Sequence, residues 1–211
     1  MRSRDLPLVH AQSALLFIDV QNYNADRQGA AYAGLSQTDF DRDYGWFFDD
    51  LQNRVLPNMR RLQVGFRNAG IEVLYTTIKN LTQDGRDRSL DYKISGFNIP
   101  KGAWDGRVVA ALAPGADEIC LPKTSSSVFI STNIDYLLRN LGVRQLVISG
   151  LLTDQCVESA IRDACDLGYL VTQVTDACAT HTQARHTNSL RAIHGYCRQR
   201  TTDDLLAELA A

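Results

Sequence analysis

At 211 residues, 45% apolar and 22% charged, the chain is long and apolar enough for one compact domain over residues 1–211 with a sizeable core, and too short for two. A formal net charge of −2 leaves no chain-wide basic field for nucleic acid or an anionic membrane, which directs attention to small-molecule chemistry. The opening MRSRDLPLVHAQ lacks a long apolar core and no later run approaches a membrane span, while five cysteines, an odd count without C-x-x-C spacing, predict free thiols in a reducing cytoplasm.

Along the chain, four short apolar runs read as buried strands: residues 14–19 (ALLFID), 71–76 (IEVLYT), 145–149 (QLVIS) and 170–174 (LVTQV). Helix-like stretches lie between them at 51–68, 132–140 and 154–167, each followed by a glycine suited to a helix end. This alternation predicts an α/β fold, a doubly wound, mostly parallel sheet with helices on both faces. Residues 22–50, with three glycines among polar and aromatic side chains, read as a long loop, either a surface excursion or a substrate cover. A second irregular stretch spans 80–104, and no repeat or linker is evident.

Ligands in open α/β sheets collect beyond the carboxyl ends of the strands, so polar residues there are the first candidates. Asp19 and Gln21 follow ALLFI, Lys123 follows EICLP, and Cys156 lies just past QLVISG, where the chain should turn into a helix. A thiolate in the first turn of a helix is favoured by unpaired N–H groups and by the helix dipole, with Thr153 or Asp154 as the cap. Asp19 is then the expected general base and Lys123 the supporting cation for nucleophilic attack by Cys156. Cys120, Cys165, Cys178 and Cys197 read as inert core thiols.

The pieces Phe17-Ile18-Asp19-Val20-Gln21-Asn22, Leu121-Pro122-Lys123 and Gly150-Leu151-Leu152-Thr153-Asp154-Gln155-Cys156-Val157-Glu158-Ser159, in this order, resemble the isochorismatase-like cysteine hydrolase superfamily over nearly the whole chain. The resemblance implies an Asp-Lys-Cys triad at Asp19, Lys123 and Cys156, a cis peptide at Leu151-Leu152, and an oxyanion hole from the N–H groups of Leu152 and Cys156. It also implies a homo-oligomer, with a tetramer as one form. The segment Lys101-Gly102-Ala103-Trp104-Asp105 and the Cys-Val-Glu-Ser continuation resemble ureidoacrylate amidohydrolases, which tilts the expected substrate toward a small ureide or carbamoyl amide.

Nicotinamidases of this superfamily hold a metal through an Asp and histidines after the second strand. Here that stretch, Thr76-Thr77-Ile78-Lys79-Asn80-Leu81, has no histidine, so no metal and no cofactor are expected. A nicotinamidase-like enzyme and a non-enzymatic binding protein on the same fold are the alternatives. Expected substrate contacts are Gln21, Asn22, Tyr23, Asn80, Trp104 and Ser127, with Ser125 and Ser126 as further hydroxyls. His181, His186 and His194 read as ordinary surface or core histidines.

Overall fold

The computed structural model describes residues 3–210. Its centre is a six-stranded sheet: β1 (Ser13–Ile18), β2 (Glu72–Ile78), β3 (Ile119–Lys123), β4 (Gln145–Leu151), β5 (Leu170–Ala179) and β6 (Arg198–Arg200). All neighbouring strands pair parallel, in the spatial order β3-β2-β1-β4-β5-β6. The chain winds outward from β1 through β2 to β3, then restarts on the other side with β4. The winding direction therefore reverses between β1 and β4, where an open α/β sheet leaves a crevice at its carboxyl edge.

Side-chain alternation explains the continuous apolar runs. Leu15, Phe17, Val73, Tyr75 and Val147 face one buried layer, while Ala14, Leu16, Ile18, Leu74 and Ile148 face the other. Both layers are covered, so every position of the central strands β1 and β4 is buried and apolar residues dominate there. The first layer is closed by α2 (Gln37–Asp50), α3 (Leu56–Asn68) and α9 (Thr202–Leu209), the second by α5 (Val128–Ser131), α6 (Ile134–Asn140), α7 (Glu158–Asp166) and α8 (Gln183–Ile193). Two further short helices are α1 (Asn22–Ala25) and α4 (Leu90–Ile94). No helix is long and apolar enough to cross a membrane among the described residues.

The structure corrects the reading of 22–50 as a loop. Ser36 caps α2 by accepting from the Asp39 N–H, and Phe40, Phe47, Phe48 and Leu51 recur at helical spacing on one buried face. Gly45 costs such a helix about 1 kcal/mol, which this aromatic packing outweighs. A wide π-type turn at Leu51–Val55 joins α2 to α3. It precedes Pro57, which has no N–H to donate one turn back.

Gly150 brings β4 close to the end of β1. Its φ is 145°, and a Cβ there would lie 2.3 Å from the Ile18 carbonyl oxygen, so only glycine fits where the two site-bearing strands meet. The register between β4 and β5 also shifts between Ile148 and Gly150.

Candidate active site

Asp19, Lys123 and Cys156 converge at the carboxyl edge of the sheet. Asp19 is the residue immediately after β1 and adopts φ 51°, a left-handed conformation that aspartate tolerates better than most residues. Its N–H donates to the Thr76 carbonyl at 3.1 Å, and Thr76 Oγ1 donates to Asp19 Oδ1 at 2.8 Å. These bonds aim the other oxygen, Oδ2, at Lys123 Nζ, 2.8 Å away in an ion pair whose side chains are 1% and 0% exposed.

Lys123, the last residue of β3, is the hub. Its ammonium donates to Tyr92 Oη at 2.9 Å, to the Ser125 carbonyl at 2.8 Å and to the Ser126 carbonyl at 3.1 Å. It also lies 3.3 Å from Cys156 Sγ. Three protons facing five acceptors are shared rather than individually assigned, which holds the cation without leaving it a free valence. Tyr92 Oη stands 3.9 Å from the same sulfur.

Burial by itself pulls the Lys123 ammonium toward neutrality, but Asp19, then Cys156 and Tyr92, outweigh it and hold its pKa above the usual lysine value. Burial pushes the Cys156 thiol up to about 11; Lys123 pulls against this and Asp19 adds to it. Burial also raises the Tyr92 phenol, with Cys156 contributing and Lys123 opposing. The resting site therefore holds a charged ammonium, in contact with Asp19, beside a neutral thiol and a neutral phenol.

This differs from the expected thiolate at a helix N-terminus. Cys156 sits in a π-type turn, Thr153–Val157, that precedes α7, and is only 6% exposed, so desolvation of a thiolate dominates. Nor do Thr153 and Asp154 cap the turn. Thr153 Oγ1 bonds His186 Nδ1 at 2.9 Å and its carbonyl accepts from Ser189 Oγ at 3.2 Å, while Asp154 accepts from Thr180 Oγ1 at 2.6 Å and Arg185 Nε at 2.5 Å. Both residues tie the cysteine-bearing turn to α8 and the chain entering it. The Leu151-Leu152 peptide is cis. The Leu152 carbonyl accepts from the Gln155 and Val157 N–H groups, and the Leu152 N–H has no partner among the described residues.

A cavity of about 450 Å³ opens over Asp19 and Cys156. Six aromatic residues line it: Tyr23, Tyr32, Tyr44, Tyr92, Phe97 and His181.

A model of the isochorismatase domain matches residues 13–204. The chain belongs to the isochorismatase family. Ureidoacrylate amidohydrolase RutB of Rhizobium rhizogenes is 30% identical over 192 residues, covering 83% of this chain and 74% of the relative. RutB of Klebsiella pneumoniae subsp. pneumoniae is 31% identical over 195 residues, covering 83% and 77%. Among solved structures, a cysteine hydrolase from Pseudomonas syringae pv. phaseolicola superposes with a TM-score of 0.81 at 22% identity, over 97% of this chain and 95% of that one. N-carbamoylsarcosine amidase from Thermoplasma acidophilum gives 0.70 at 23% identity, over 91% and 97%. The fold is that of isochorismatase-like cysteine hydrolases, and this chain is a hydrolase; its curated relatives are amidohydrolases, enzymes of carbon–nitrogen bonds other than peptide bonds.

Of the substrate contacts expected in this isochorismatase-family chain, Tyr23 lines the cavity and five others do not. Gln21 is fully buried and clamps backbone: Oε1 accepts from the Ile78 N–H at 2.6 Å, and Nε2 donates to the Ile78 and Asp105 carbonyls, both at 2.9 Å. Asn22 Nδ2 donates to the Trp104 carbonyl at 3.0 Å, and Asn80 Nδ2 to Asn98 Oδ1 at 2.7 Å. The Trp104 side chain is 42% exposed and away from the cavity. Ser127 caps α5 through the Phe129 N–H and bonds Asp163; Ser126, not Ser127, reaches the cavity wall. The clamps hold the irregular 80–104 segment in place, and that segment delivers Tyr92 and Phe97. Neither aromatic, nor Tyr32 or Tyr44, carries a sequence signal separating a cavity wall from ordinary core.

His181 departs from its bland reading by lining the cavity, edge-on to Tyr44 and Phe47. His186 is buried against Thr153, and His194 is exposed at the end of α8. Among the described residues, no three His, Cys, Asp or Glu side chains are grouped as a metal ion would require. Cys178 and Cys197 are buried as expected, whereas Cys120 is exposed on the edge strand β3.

Proposed function

We propose that the protein is a cysteine amidohydrolase that cleaves the C–N bond of a small ureide or carbamoyl-type amide through a thioester. The observation that carries this reading is the water-excluded array in which one ammonium touches both the Asp19 carboxylate, at 2.8 Å, and the Cys156 sulfur, at 3.3 Å, at the floor of an open cavity. The relatives named as ureidoacrylate amidohydrolases support the choice of bond.

Because the thiol is neutral at rest, attack requires a base, and Asp19 is the carboxylate beside it. As Cys156 Sγ bonds to the carbonyl carbon, the thiol proton passes to Asp19. The developing oxyanion is received by the N–H groups of Leu152 and Cys156. Asp19 returns the proton to the nitrogen as the C–N bond breaks, releasing ammonia or an amine and leaving an acyl thioester on Cys156. Water, deprotonated by Asp19, then attacks the thioester; the acid leaves and the sulfur recovers its proton. Lys123 stays protonated throughout and offsets the negative charge as it moves between oxygen and sulfur.

This chemistry suits a reducing cytoplasm, and we assign the enzyme there as a homo-oligomer. The test is ammonia release from a panel of ureides, carbamoyl amino acids, biuret, triuret and nicotinamide. Hydrolysis of a ureide that vanishes in Cys156→Ala, with an acyl adduct on Cys156 in the wild type by mass spectrometry, supports the reading. Turnover that survives in Cys156→Ala refutes it.

A further inference from the structure

The curated relatives are named for ureidoacrylate, a substrate that carries a carboxylate. A site built for such a molecule needs a cation or several N–H donors at the end remote from the reacting carbonyl. Among the described residues, the lining of the cavity contains no arginine and no lysine. Lys123 is 0% exposed beneath the floor, with its ammonium already surrounded by Asp19, Tyr92 and two carbonyls.

Three arginines of neighbouring segments are also engaged. Arg185 is bound to Asp154 at 2.5 Å, Arg54 to Asp50 at 2.6 Å, and Arg27 stacks 5.0 Å from the Phe40 ring centroid and 4.0 Å from Asp41. His181 is held below the usual histidine range by burial and by Arg185, so it is uncharged at neutral pH.

What the cavity does present has the opposite character. Asp91 adds an exposed carboxylate at the rim, and Asn24 is also among the lining residues. A carboxylate at the rim welcomes an N–H and repels a second carboxylate. The five tyrosine and phenylalanine walls supply flat apolar faces, which suit a planar amide or ureide plane.

We propose that the site takes an uncharged, planar ureide or carboxamide rich in N–H groups, and discriminates against ureides that bear a carboxylate. This inference rests on the amidohydrolase reading for its chemistry but on the cavity wall for its selectivity. The two are separated by measuring binding apart from turnover.

The informative pair is 3-ureidoacrylate and 3-ureidoacrylamide, which differ by one oxygen replaced with NH₂ at nearly constant shape. Binding is measured by calorimetry to the Cys156→Ala protein at neutral pH, and ammonia release by the wild type. The amide should bind at least about tenfold more tightly than the carboxylate, with a matching ratio in kcat/KM. Equal or tighter binding of the carboxylate, or no binding of the amide at millimolar concentration, overturns the inference. Preferential binding of the amide without hydrolysis of either compound supports the charge preference and refutes the amidohydrolase reading of these ureides.

Discussion

Replacing Asp19 with Asn tests the assignment of the base most directly, because the substitution changes charge and little else. Asparagine tolerates the left-handed backbone at φ 51°, and its Oδ1 can still accept the Thr76 hydroxyl bond of 2.8 Å. Lys123 loses its carboxylate but keeps Tyr92 Oη and the carbonyls of Ser125 and Ser126. Breaking a buried pair costs about 3–5 kcal/mol of stability, so folding of the variant is first verified by circular dichroism.

Without Asp19, attack can proceed only through the small fraction of Cys156 already ionised. A thiol at about 11 is ionised to ~10⁻⁴ at pH 7, equivalent to about 5.4 kcal/mol. Asp19 is itself one of the influences that raise this thiol, so its removal brings the sulfur somewhat below 11 and moderates the loss. The expected fall in kcat/KM at pH 7 is therefore between ~10² and ~10⁴. The residual rate should climb about tenfold per pH unit above 7 and level off before 11. The assay is ammonia release across that range. A loss below about tenfold at pH 7, or a residual rate flat between pH 7 and 9, refutes the role of Asp19 as the base that makes this thiol reactive.

Tyr92→Phe removes a hydroxyl from Lys123 Nζ and from the neighbourhood of the sulfur; kcat should fall about tenfold, with KM nearly unchanged, in a steady-state assay. Burial raises Cys156 to about 11 and Cys178 and Cys197 to about 12, so the folded state retains protons that the unfolded state releases. The stability these neutral thiols contribute is complete below about pH 9 and is lost as pH rises from about 9 to about 12; at pH 10 the loss is about 1.4 kcal/mol per thiol. Thermal melts from pH 8 to 10 should accordingly fall less steeply in Cys178→Ala than in the wild type. Prolonged dialysis against a strong chelator should leave turnover unchanged, measured as ammonia release before and after.

The sheet was legible because burial on both faces leaves a strand no choice but continuous apolar residues, as in ALLFI and QLVIS. β6, the short edge strand Arg-Gln-Arg, has no such signature: Arg198 is buried only because Glu208 and Thr172 meet its guanidinium. The helix over Gln37–Asp50 was present in the spacing of Phe40, Phe47 and Phe48, but Gly45 and the polar residues between them mimic a loop when the aromatic stripe is not read as a face. Asp19, Lys123 and Cys156 were accessible to sequence reasoning because each stands at or just beyond the end of an apolar run, and strand ends in this architecture face one crevice.

The cavity wall was not accessible in the same way. Gln21, Asn22 and Asn80 also occupy strand ends and loop starts, and a polar side chain there meets its hydrogen bonds either with a ligand or with neighbouring backbone. Sequence position cannot choose between those outcomes. Here the carbonyls and N–H groups of Ile78, Trp104 and Asp105 lie within reach, so Gln21 and Asn22 become clamps. By holding the 80–104 segment against the sheet edge, they allow Tyr92, from a helix of five residues, to reach Lys123 at 2.9 Å. Gln21 and Asn22 thus govern shape, and Tyr92, which carries no sequence signal, stands 3.9 Å from the Cys156 sulfur. The chemistry of such a site is encoded locally, at three strand ends, whereas its selectivity is encoded in the long-range hydrogen bonds that decide where an irregular segment comes to rest.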